Sequence, residues 1–139
     1  MNVNPINRQI QDASLLVTQA LPAQNTTAAS TGSLNLGSAV AGIGTEKADF
    51  LLSIPATPSL ANGQTITCTV QDSADNVTFA ALAGVGQLIV TGAGGIGAAA
   101  ASILAQLPPG TRAFVNVTVT TSATAGNNTA VSYTFQLLF

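Results

Sequence analysis

Histidine and tryptophan are absent from the 139 residues, and cysteine occurs once, at Cys68. Without an imidazole the chain lacks the side chain that titrates near neutral pH, and Lys47 is its sole lysine. Ser132 and Tyr133 therefore have no base in the sequence to activate them as nucleophiles. One cysteine can neither close an intrachain disulfide nor supply a thiolate cluster for zinc, so cysteine usage leaves the redox compartment open. Charge is nearly as scarce. Arg8, Asp12, Glu46, Lys47, Asp49, Asp72, Asp75 and Arg112 make up 6% of the chain, against roughly 25% in an ordinary soluble domain. Three scattered cations and a net charge of −2 give no basic stripe to neutralise a run of phosphates, so nucleic acid is not an expected partner.

What is there is apolar and neutral-polar: 47% of residues are hydrophobic, and the remaining surface must be built from Thr, Ser, Asn and Gln. Hydroxyls and amides that find partners cost far less to bury than charges, so such a surface suits packing against other subunits. The length is that of one domain with a single core. The polar start, Met1 to Arg8, lacks the apolar core of a secretion signal, and cytoplasmic synthesis is the simplest expectation. Within the uncharged stretch Val77 to Thr111, Leu88 to Ala105 approaches the length of a membrane-spanning helix. Five glycines from Gly86 to Gly97, Pro108-Pro109 and the lack of aromatic belts and flanking cations argue instead for short strands joined by a glycine-rich loop, with no membrane partner.

Residues 1–12 read as a polar N-terminal arm, with Ile6, Ile10, Ala13 and Val17 at helical spacing but strand formers from Ser14 to Thr18; helix and strand stay open there. Residues 13–139 read as a succession of short strands. Ser33 to Gly37 alternates before a glycine stop, and Ala48 to Ile54 runs until Pro55. Gly63 to Val70 is the clearest strand, with Ile66, Cys68 and Val70 on one face and three threonines on the other, which makes Cys68 a buried small hydrophobe. Gln87 to Thr91 is a short β-branched run, and Ala98 to Leu107 is ambiguous between strand and helix. Arg112 to Thr120 alternates through Val115, Val117 and Val119. Gly126-Asn127-Asn128 then leads into Ala130 to Leu138, so the last two strands are expected to form a hairpin. Seven or eight short strands with turn signals and little helix predict a single all-β domain, a jelly roll or β-sandwich.

Several motifs invite chemistry. Gly92-Ala93-Gly94-Gly95-Ile96-Gly97 follows a strand and imitates a dinucleotide-binding turn, but no acidic residue follows Asp75 to hold a ribose and Pro108-Pro109 cuts any helix short. A flexible glycine loop between strands is the expectation. Asp72-Ser73-Ala74-Asp75-Asn76 offers oxygen ligands yet lacks the glycine and distal glutamate of a calcium loop; these residues are expected to cap a turn after a strand ending at Val70. As a glycosidase pair, Asp72 and Asp75 lack aromatics to bind sugar. Glu46, Lys47 and Asp49 read as a solvated loop. Four Asn-x-Thr triplets, at Asn25, Asn76, Asn116 and Asn127, are expected by chance in so Asn- and Thr-rich a chain. No catalytic, cofactor-binding or metal-ligating residue is assigned, and no enzyme activity is expected.

Thr31 to Gly37, Gln64 to Phe79, the glycine-alanine loop at 92–101, Leu107-Pro108-Pro109 and the closing Tyr133 to Phe139 together resemble the capsid cement (decoration) proteins of tailed phages, Bordetella-phage type. The likeness spans about residues 10–139. It implies a jelly-roll subunit that self-associates as a dimer or trimer on the outer surface of an icosahedral virion and bridges neighbouring major capsid proteins of HK97-like fold, without catalysis. This chain departs in its longer polar leader. The candidate partner-contact residues are Ile6, Arg8 and Ile10 on the arm and Leu138 and Phe139 at the other end, where core burial of Leu137 to Phe139 is the plain alternative. A competing reading from another class is a free-standing binding module or adhesin subunit that recognises a glycan or host surface through its loops.

Overall fold

The computed structural model describes residues 15–36 and 48–138. Four strands in this span show the alternation of a sheet with one wet and one dry face. These are β4 (Asp49–Ile54), β5 (Thr65–Ser73), β9 (Phe114–Thr121) and β10 (Ser132–Leu138). β4 turns Phe50, Leu52 and Ile54 inward and β10 turns Tyr133, Phe135 and Leu137 inward. β5 does the same with Ile66, Cys68 and Val70, and β9 with Val115, Val117 and Val119. β4 pairs with β10 and β5 with β9, both antiparallel, giving two sheets that each carry one continuous apolar face. Such faces leave water only by packing on one another, and each large aliphatic or aromatic side chain so buried is worth roughly 1.5–3 kcal/mol. The Phe50 and Phe135 rings, 5.9 Å apart and tilted by 49°, tie the centre of the first sheet together.

Sheet A is completed by β1 (Leu16–Ala20) beside β10 and β8 (Ala101–Gln106) beside β4, in the order β1-β10-β4-β8. In sheet B, β2 (Thr26–Ala29) and β3 (Leu34–Asn35) both lie along β9, while β6 (Ala80–Ala81) and β7 (Leu88–Thr91) both lie along β5. Counting β2 with β3 and β6 with β7 as broken strands gives four strands per sheet. The chain then passes back and forth between the sheets in the manner of a jelly roll. The all-β sandwich expected from the alternation is the fold observed; Ala101–Gln106 is a strand, as is Leu16–Ala20 at the end of the first ambiguous segment, whose residues up to Ser14 lie outside the described residues.

Three expectations need correction. β9 and β10 do not form a hairpin. β10 belongs to sheet A and β9 to sheet B, and residues 122–131 carry the chain across the sandwich, because each strand needs the other's apolar face opposite it rather than beside it. β5 does not stop at Val70 but runs to Ser73. The glycine loop after β7 is pinned rather than loose. Gly92 N–H donates to Gln64 O at 2.9 Å, Ala93 N–H to Gly97 O at 3.0 Å, and Ala98 N–H to Thr57 O at 3.1 Å. Ala101–Gln106 follows it as a strand, so the loop opens no helix on which a pyrophosphate could sit. No helix among the described residues is long and apolar enough to cross a membrane.

Candidate interaction surface

The ten strands carry two charges between them, Asp49 at the start of β4 and Asp72 near the end of β5. Asp72 is buried and committed. Its Oδ2 accepts from Arg112 N–H at 2.9 Å and its Oδ1 from Arg112 Nε at 3.0 Å, while Arg112 Nη2 also donates to the Asp72 carbonyl at 2.7 Å. Burial alone would raise the Asp72 carboxyl, but these donors and the guanidinium charge outweigh it and hold the group below the usual carboxylate value. Asp75 does what was expected of both acids. Its Oδ1 accepts from Val77 N–H at 2.9 Å, Thr78 N–H at 2.8 Å and Ser73 Oγ at 2.8 Å, and those donors pull its carboxyl down to about 2. The two acids thus serve separate partners, and among the described residues no three His, Cys, Asp or Glu side chains gather.

With Asp72 paired at the sandwich end, the outer faces of both sheets carry almost no ions among the described residues. On sheet A the register aligns Leu16, Gln136, Leu51 and Leu104 in one row across β1, β10, β4 and β8. At the usual strand spacing this row is about 14 Å long. Its two ends, Leu16 at 41% and Leu104 at 60% exposure, are among the large apolar side chains most open to solvent. The next row is Thr18, Thr134, Ser53 and Ser102, four hydroxyls. On sheet B the corresponding row is Thr27, Thr120, Thr67 and Ile89, and there two of the three hydroxyls bond each other, Thr27 Oγ1 and Thr120 Oγ1 lying 3.0 Å apart, while beside the row Gln87 Nε2 donates to Thr69 Oγ1 at 2.9 Å. Sheet A therefore presents the more adhesive face, and sheet B the more self-contained one.

The two edges of sheet A also differ. β1 and β8 each have a partner strand on one side only among the described strands. β1 is shielded by Gln19, whose Nε2 donates to Ala29 O at 3.3 Å and whose Oε1 accepts from Thr31 N–H at 2.6 Å. β8, Ala-Ser-Ile-Leu-Ala-Gln, bears neither the charge nor the proline that commonly discourages edge pairing. Leu104 stands at its middle.

Of the sequence-derived contact residues, Ile6, Arg8, Ile10 and Phe139 lie outside the described residues, as do the arm at 1–12, Glu46 and Lys47. Leu138 is buried, 4% exposed, so its side chain is not offered at the surface. Leu16, Leu51 and Leu104 were not singled out from the sequence. A leucine on the wet face of a strand reads as ordinary alternation until the register shows that three such residues share one row.

No family model matches the chain, and no curated protein matches it. Among solved structures, it is similar to one from work on Bacillus endospore appendages that form a novel family of disulfide-linked pili. The identity is 18%, the match covers 94% of this chain and 86% of that one, and the TM-score is 0.48.

Proposed function

We propose that this chain is a structural virion protein that binds the outer surface of an icosahedral phage capsid and stabilises it by bridging neighbouring major capsid proteins of HK97-like fold. It acts as a homo-oligomer, a dimer or trimer, and performs no catalysis. Two things support the reading: the resemblance of the sequence to capsid cement proteins, and the outer face of sheet A. The face carries most of the argument. Its row of Leu16, Leu51 and Leu104 beside a row of hydroxyls can be covered by another protein with one ion, Asp49, at its margin. Desolvating a charge is what makes most protein surfaces expensive to cover, and this one avoids it.

The stabilising mechanism is mass action. A rigid subunit that binds the closed shell and not its dissociated parts adds interface that must break before the shell opens, and many copies multiply the effect. The test uses empty shells of the HK97-like major capsid protein from the genome that encodes this chain, heated with and without saturating amounts of it. Decorated shells are expected to lose integrity at a higher temperature. Identical loss temperatures at saturation would show the reading to be wrong.

A further inference from the structure

Opposite Asn116 the strand running along β9 is broken. β2 ends with Ala29 paired to Thr118, and β3 resumes with Leu34 paired to Val115. The segment Ser30–Ser33 must therefore cover a stretch in which β9 supplies only Asn116 and Val117, and the surplus chain arches off the sheet. The arch is held at its near end by Ser30, whose N–H donates to Val117 O at 2.8 Å and whose Oγ donates to Gly32 O at 2.7 Å. Its far end is held by a hydrogen bond between Ser33 Oγ and Asn76 Oδ1. Asn76 has a left-handed backbone, φ 58°, at the turn that Asp75 caps. Between arch and turn lies a cavity of about 280 Å³, with Asn116 and Phe79 completing its lining. Asn116 is 4% exposed, and its Oδ1 has no hydrogen-bond partner among the described residues.

We propose that this cavity is a subsite for a single ring of a neutral sugar. No described lining residue carries a charge, so a phosphate or carboxylate finds no counter-ion among them. An apolar ligand would leave the Asn116 amide and the hydroxyls of the arch facing carbon, which is costly. A sugar ring meets both demands. Its hydroxyls both donate and accept, matching serine and threonine hydroxyls that can do either and an Asn116 amide whose buried oxygen still lacks a donor. Its C–H face needs an apolar wall, and Phe79 supplies the one aromatic ring in the lining. Phe79 stands four residues past Asp75, and neither Asp72 nor Asp75 is among the described residues that line the cavity, so its chemistry is binding. The volume lies just under the usual range of small-molecule pockets, roughly 300–1,000 Å³, which fits one ring rather than an oligosaccharide. The site lies on the sheet B side, away from the leucine row, so it operates whether or not the chain sits on a capsid.

The test is a set of amide correlation spectra of the full chain titrated with glucose, galactose, mannose and N-acetylglucosamine. Concentrations should reach about 50 mM, because so small a contact is expected to bind at the millimolar level. At least one sugar should give saturable shifts confined to Ser30–Ser33, Asn76, Phe79 and Asn116. Phe79→Ala and Asn116→Ala should each weaken that binding roughly tenfold or abolish it, a loss of the size expected when a stacking or amide contact is removed. Leu104→Ala, on the opposite sheet, should leave it unchanged. Should Asn116→Ala not fold, Phe79→Ala and Ser33→Ala decide. Absence of shifts at these residues with every sugar, shifts that grow without saturating, or saturable binding that survives the substitutions would each overturn the assignment.

Discussion

Tyr133 sits at 0% exposure on the inner face of β10, and its hydroxyl has no hydrogen-bond partner among the described residues. A buried hydroxyl without a partner costs free energy that the rest of the ring repays by packing. Tyr133→Phe removes the hydroxyl and keeps the ring, so stability is expected to stay level or rise by up to about 1 kcal/mol, as read from denaturant midpoints at constant slope. The titrating groups set a pH dependence at both ends. Asp72 and Asp75 are held below their ordinary carboxylate values in the folded chain. The stability they contribute is thus present above about pH 4 and lost as pH falls through their folded values, about 2 for Asp75. Burial pushes the Cys68 thiol from 9.0 to about 12 and the Tyr133 phenol from 10.0 to about 12. Unfolding thus releases their protons at lower pH than the native state does, and stability is lost as pH rises from about 9 towards 12. With no histidine, the profile between is expected to be flat. Chemical denaturation across pH 3–11 checks this, and a slope near pH 6–7 would contradict it.

At the scale of elements, the pinned loop between β7 and β8 gives the sharpest contrast. Gly97 has φ 80°, and a Cβ there would collide with the Thr57 carbonyl and lie 2.6 Å from Pro58 Cα, both backbone. Gly94 has φ 62° with open space around it. Gly94→Ala is therefore expected to cost roughly 1–2 kcal/mol from backbone strain alone. Gly97→Ala adds displacement of the 57–58 backbone and is expected to cost at least about 3 kcal/mol, measured by thermal or denaturant unfolding. If the two cost the same, the loop is not anchored as described. The same scale shows what can be read from a sequence. β4, β5, β9 and β10 were legible because each is dry on one face, which prints period-two alternation into the residues. β2, Thr-Thr-Ala-Ala, was not legible, because it has no large apolar residue and owes its place to hydrogen bonding along β9. The Asp72–Arg112 pair, forty positions apart, exists only because β5 and β9 are neighbours. The supposed β9–β10 hairpin failed because local turn residues do not say whether a chain returns beside its last strand or opposite it. The candidate surface was hidden for a related reason, since its three leucines come from three different strands.

At the scale of the molecule, few charges and many hydroxyls describe a domain whose sheet A outer face, among the described residues, carries a single ion, Asp49, at its margin. Adhesion through such a face rests on apolar contact and neutral hydrogen bonds, and these are little screened by salt. Leu104 is the natural point of intervention. It is 60% exposed on β8, an edge strand among the described strands, at one end of the leucine row, so a lysine there leaves the core intact while placing a charge on the face to be covered. The most direct measurement is co-sedimentation of the wild-type chain and Leu104→Lys with empty shells of the HK97-like major capsid protein from the same genome, at about 0.1 M and about 1 M salt, where the Debye length falls from roughly 10 Å to 3 Å. The account predicts that the wild-type chain pellets with the shells equally at both salts and that Leu104→Lys, folded and soluble, stays in the supernatant. A wild-type chain released by high salt, or a Leu104→Lys chain that still pellets, would contradict it.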